Sequence, residues 1–102
     1  MNKPPESYIR VPHEKMQAFV AAACRTVGLP DDKPDLLAGI LTGNDLKGVF
    51  SHGTQQIATY AILMRDGNLN NTPDLKVAKE TPVSLLVDGD GGLGFFPAHE
   101  GT

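Results

Sequence analysis

"DLKGVFSHGTQQIATYAILMRDGNLN", residues 45–70, decides how this chain is read. Its second half has a helical pattern: Ile57, Tyr60, Ala61 and Met64 fall on one face, and Gly67 stands where a left-handed residue closes a helix. Its first half sets Ser51, His52 and Gly53 side by side. With Ser51 as the N-cap, His52 and Gly53 occupy the first helical turn, where unpaired N–H groups and the positive end of the dipole suit an anion such as a carboxylate. The same field favours an uncharged imidazole, able to donate a hydrogen bond or a proton to a carbonyl oxygen as that oxygen gains negative charge. Gln56, four residues after His52, shares its helical face.

Upstream, two more helices are expected. From Pro12, the residues Met16, Phe19, Val20, Ala23 and Val27 recur at helical spacing, and Gly28 suits the position after the last turn, giving a helix over about 12–27. Cys24, beside three alanines, suits a small buried position in that helix. A second helix follows the aspartate cluster Asp31, Asp32 and Asp35, with Pro34 near its start, Leu36, Leu37, Ile40 and Leu41 as its apolar stripe, and Gly48 as its stop. Gly39 and Gly43 each cost about 1 kcal/mol relative to alanine inside a helix, which calls for a close helix neighbour at those positions. Residues 1–11 read as a flexible polar lead-in with Tyr8 and Ile9 as docking points.

Downstream, "LKVAKE" and "VSLLVDG" have β character and are separated by Thr81 and Pro82, so an antiparallel pairing is expected. A lone two-stranded ribbon is marginal in water and needs more protein against it. Phe95 and Phe96 follow a glycine-rich turn with no further element in view to bury them, the pattern of a fragment whose remaining core lies elsewhere. The fold class is mixed α/β: three helices, then a short β ribbon.

The 102 residues bound one small domain, burying roughly 60–65 % of the unfolded surface. With 40 % hydrophobic and 21 % charged residues, the chain has a globular composition. A net charge of −3 offers no basic stripe for phosphates, so nucleic acid and anionic membrane are set aside as partners. A single cysteine, no signal-peptide pattern and no apolar run of roughly 20 residues point to a cytoplasmic protein without a membrane span.

Other constellations are weaker. His13 and His99 are isolated, and three scattered histidines do not make a metal site. "GDGGLG", residues 89–94, fits the spacing of a dinucleotide-binding loop, but that pattern needs a helix opening at its last glycine and an acidic residue about 20 positions on. Pro97 argues against the helix, leaving a glycine-rich turn. Asp88 and Asp90 lack the remaining oxygen ligands of a calcium loop. Taken alone, His52 is more simply a polar residue on a turn than a catalytic one.

Together, the opening stretch, "ETPVSLLVDGDGGLG" and the two preceding helices resemble the N-terminal part of the malate/L-lactate dehydrogenase family, which is unrelated to the Rossmann-type enzymes and includes ureidoglycolate dehydrogenase, diketogulonate reductase and sulfolactate dehydrogenase. The runs L-K-G-V-x-S-H-G, G-x-x-N and V-D-G-D-x-G-x-G carry the likeness, from about residue 12 to the end. The resemblance implies an NAD- or NADP-dependent oxidoreductase that interconverts α-keto and α-hydroxy acids, usually as a homodimer. It implies that residues 12–102 are the first part of a larger domain whose cofactor site lies mostly elsewhere, so that the segment alone is inactive. On it, His52 matches the active-site histidine, and Ser51 and Gln56 fall at substrate-binding positions. Members commonly carry arginine where this chain has Gln56, and an amide brings neither the charge nor the bidentate fork that suits a carboxylate. The rival reading is a non-catalytic interaction module, or a remnant, that uses the exposed ribbon edge to bind a partner.

Overall fold

The computed structural model describes residues 6–101. The chain runs through α1 (His13–Thr26), α2 (Lys33–Leu46), two single 3₁₀ turns (Phe50–His52 and Thr54–Gln56), α3 (Ile57–Arg65), β1 (Lys76–Thr81), β2 (Ser84–Asp88) and α4 (Phe95–Gly101). The mixed helix-and-ribbon class is as the sequence implies.

The three long helices end in the same way. Gly28, Gly48 and Gly67 take φ of 94°, 78° and 80°, and each donates its N–H to the carbonyl three residues back while the next residue reaches back five. This is the Schellman closure, in which a left-handed residue lets the chain turn and pair the last carbonyls. At the end of α2 it places Gly48 N on the Asp45 carbonyl at 3.0 Å and Val49 N on the Asn44 carbonyl at 2.8 Å.

α1 and α2 pack against each other, with Val20 and Cys24 from the first and Leu37, Ala38 and Leu41 from the second all buried. Met64 of α3, Leu29, Leu93 and Phe96 complete the cluster, and Ile57 and Tyr60 pack at its margin. Each fully buried side chain of this size contributes about 1.5–3 kcal/mol. Phe19, on the expected apolar face of α1, is instead 64 % exposed, because the face that meets α2 is centred on Val20 and Cys24. The close neighbour expected at Gly43 is absent too: a Cβ there would meet nothing within 4 Å. Residues 1–5 of the lead-in lie outside the described residues; in the rest, Tyr8 and Ile9 are exposed, with Ile9 bordering a cleft beside α2 and Arg10 over the Tyr8 ring.

β1 and β2 form the expected antiparallel ribbon, from Lys76 opposite Asp88 to Thr81 opposite Ser84, with an irregularity between Val77 and Lys79. Every residue of β1 is exposed, and in β2 only Val87 is half-buried. Phe95 and Phe96 overturn the expectation of an unburied end. They begin α4, Phe96 enters the core, and Phe95 meets Tyr60 edge-on with ring centroids 6.2 Å apart. Pro97 does not prevent this helix: it sits in the first turn, where its missing N–H would have no partner within the helix.

Candidate active site

Between α2 and α3 the backbone does not enter an α-helix at Ser51. It makes two successive 3₁₀ turns, joined at Gly53 in extended geometry (φ −102°, ψ −153°), and α3 opens only at Ile57. Ser51 is therefore not the N-cap of α3, a position that Gln56 takes. His52 is exposed in the first 3₁₀ turn. The amides once expected to face an anion are occupied: His52 N donates to the Val49 carbonyl, Gly53 N to Phe50 and Gln56 N to Gly53, at 3.1–3.2 Å. The electrostatic reason for an uncharged ring at a helix N-terminus falls with that geometry.

Direct contacts organise the turn instead. Ser51 Oγ lies 2.9 Å from His52 Nδ1, so the contact engages one of the two ring nitrogens. Gln56 Nε2 donates to the Ser51 carbonyl at 2.9 Å. That contact uses one of the two N–H donors of the amide on the turn itself, and the Oε1 is an acceptor suited to a hydroxyl. Asn44 Nδ2, from the end of α2, donates to the His52 carbonyl at 2.9 Å. Beside it, the Asp45 carboxylate accepts from Thr54 N at 3.3 Å through each oxygen and from Thr54 Oγ1.

The sequence reading missed Asn44, Asp45 and Thr54. The available signal was an acidic residue near a helix C-terminus, where the dipole disfavours it, followed at short range by a hydroxyl residue.

The same turn forms one wall of a cleft of about 530 Å³, whose lining includes Arg10, Val11, Met16, Phe50 and Thr54. Ser51, His52 and Gln56 are not part of that lining, so the three residues named from the sequence come together on the turn and not in the cleft. Thr42 also borders it, with a buried Oγ1 that has no hydrogen-bond partner.

The glycine turn at 89–94 is followed by a helix after all, yet its polar groups are engaged locally. Asn70 Nδ2 donates to the Asp90 carbonyl at 2.7 Å, and Asn70 N donates to the Gly91 carbonyl at 2.9 Å. Asp90 Oδ2 accepts from Asp74 N at 2.9 Å, and a Cβ on Gly92 would come within 2.9 Å of Pro73. Gly92 is thus small because the 70–74 loop packs on it, and no cradle for a pyrophosphate results. Among the described residues no group of three histidine, cysteine or acidic side chains could hold a metal ion, and no helix is long and apolar enough to cross a membrane.

Residues 11–102 match the malate/L-lactate dehydrogenase family, and the chain belongs to it. The malate dehydrogenase of Pyrococcus horikoshii is 37 % identical over 89 residues, covering 87 % of this chain and 25 % of that protein. The L-sulfolactate dehydrogenase of Methanocaldococcus jannaschii is 33 % identical over 81 residues, covering 79 % and 24 %. In three dimensions the chain superposes on the structure of malate dehydrogenase from P. horikoshii OT3 with a TM-score of 0.87 at 34 % identity, over 94 % of this chain and 28 % of that one. The chain thus spans about a quarter of the length of the relatives it matches.

Proposed function

We propose that this chain contributes the proton-transferring histidine of an oxidoreductase that interconverts small α-keto and α-hydroxy acids. One observation carries the reading: within the stretch that matches the dehydrogenase family, an exposed imidazole has its Nδ1 within 2.9 Å of Ser51 Oγ. In reduction, His52 Nε2 gives a proton to the substrate's former carbonyl oxygen; in oxidation it takes the hydroxyl proton back. Ser51 orients the ring, and Gln56 offers its Oε1 to a substrate hydroxyl.

NAD or NADP, when bound, exchanges hydride with the substrate carbon. The described residues do not fit a dinucleotide, since the one glycine loop of suitable spacing is tied to Asn70 and packed on Pro73. Residues 12–102 are therefore one part of a larger domain, with the cofactor held elsewhere in it. The family resemblance also supports a homodimer and a cytoplasmic location for the whole enzyme.

The test replaces the matching segment of the P. horikoshii malate dehydrogenase with residues 11–102 and assays oxidation of reduced nicotinamide with a panel of α-keto acids. Turnover that falls at least about 100-fold in His52→Asn, as loss of a general acid–base group does, supports the reading. Unchanged turnover in that variant removes His52 from the mechanism.

A second reading, an interaction module that binds through the ribbon, draws on the exposure of Leu86 (60 %) and Val83 (95 %). It expects the 102-residue chain to capture a partner with no dependence on His52.

A further inference from the structure

We propose that Asn44 and Asp45, at the C-terminal end of α2, form a two-point clamp that sets the His52 turn, and that Asp45 is a positioning residue for the imidazole. The proposal rests on the reading of His52 as the proton-transferring group, and three independent features carry it.

The first is the bracketing of the turn. Asn44 holds the carbonyl of His52, and Asp45 holds the amide and hydroxyl of Thr54, two residues on. The peptide units on either side of Gly53 are thereby fixed to one rigid helix end. Ser51 then meets Nδ1 with its own carbonyl braced by Gln56.

The second is Gly53. Its φ of −102° is open to any residue, so the backbone does not demand glycine. A Cβ there would overlap Asp45 Oδ1 and lie 2.7 Å from its Cγ. With the Asp45 carboxylate in its place on Thr54, only glycine fits beside the histidine.

The third is cost. Asp45 is an acidic residue near the C-terminal end of α2, in a last turn that holds no basic residue, so it faces the negative end of the helix dipole. For helix stability alone this position suits a lysine, and the Thr54 contacts are what compensate for the aspartate.

The experiment uses the 102-residue chain labelled with ¹⁵N. Long-range ¹H–¹⁵N correlation reads the His52 ring, and amide exchange reads Thr54. In Asp45→Ala the His52 ring nitrogens are expected to move toward the shifts of an unstructured peptide, and the Thr54 amide to exchange at least 10-fold faster, while the α1 amides stay in place. Thr54→Val, which keeps the carboxylate and the helix end, should produce the same ring movement in smaller degree. Gly53→Ala should displace the ring signals in the parent chain but change little when added to Asp45→Ala. Ring signals that stay put in both Asp45→Ala and Thr54→Val, or a Gly53→Ala effect equally large with and without Asp45, would falsify the clamp.

Within the hybrid enzyme, Asp45→Ala should lower kcat about 10-fold with KM changed less than 2-fold. Loss confined to KM would also overturn the positioning role. If the clamp outcomes hold while His52→Asn keeps full turnover, the functional reading fails and the clamp stands.

Discussion

At the scale of single residues, Cys24 shows how burial sets chemistry. Desolvation between α1 and α2 pushes its thiol above the ordinary value of 9.0, with the neighbouring Arg25 opposing in smaller measure. The raised value means that the folded state keeps a proton which the unfolded chain releases above about pH 9. Its contribution is therefore fully present below that pH and is lost as pH rises toward the folded value. Urea unfolding followed from pH 8 to pH 10 should show stability falling, and Cys24→Ala should flatten that slope. At pH 8 the native thiol should also react with a disulfide reagent far more slowly than the denatured one, because the thiolate is the nucleophile. The site was legible residue by residue only where chemistry is written in side-chain type. Ser51, His52 and Gln56 stand out as a cluster, whereas Asn44 and Asp45 read as the tail of a helix until Thr54 folds back onto them.

At the scale of elements, glycine does two opposite jobs in α2 and just beyond it. Gly48 has φ +78°, a conformation that suits glycine at the Schellman closure. Gly43 lies inside the helix with open space where a Cβ would be. Gly48→Ala should destabilise the chain by about 1 kcal/mol, the scale of forcing an L-residue left-handed. Gly43→Ala should stabilise it by about 1 kcal/mol through helix propensity. Thermal unfolding of the two variants beside the parent checks both signs. The helix ends were legible because Gly28, Gly48 and Gly67 each follow a periodic apolar run. The start of α3 was not, because Ser51 looks like an N-cap; Thr54 N instead goes to Asp45, and the chain makes two 3₁₀ turns before Ile57. α4 was missed for a related reason. Proline is read as a breaker, although in a first turn it removes a donor that had no partner.

At the scale of the whole molecule, the described residues have a radius of gyration of 14.9 Å, against about 13 Å for a compact 100-residue domain. The excess comes with an element that buries almost nothing: β1 is exposed throughout and β2 nearly so. Since an isolated two-stranded ribbon is marginal in water and the chain matches 25 % of its malate dehydrogenase relative, we read the ribbon as a surface meant to be covered by the remainder of the family fold. That reading separates two environments for one side chain. Leu86 is 60 % exposed, so Leu86→Lys should change the stability of the 102-residue chain by less than about 0.5 kcal/mol, as surface substitutions do. In the hybrid dehydrogenase the same lysine would be forced into an apolar interface without a partner, and it should cost several-fold in soluble yield and lower the unfolding temperature. Chemical unfolding of the short chain and thermal unfolding of the hybrid, run side by side, decide it. A hybrid indifferent to the lysine would mean that the ribbon faces solvent in the complete fold, which would favour the reading of this edge as a docking strand for another chain.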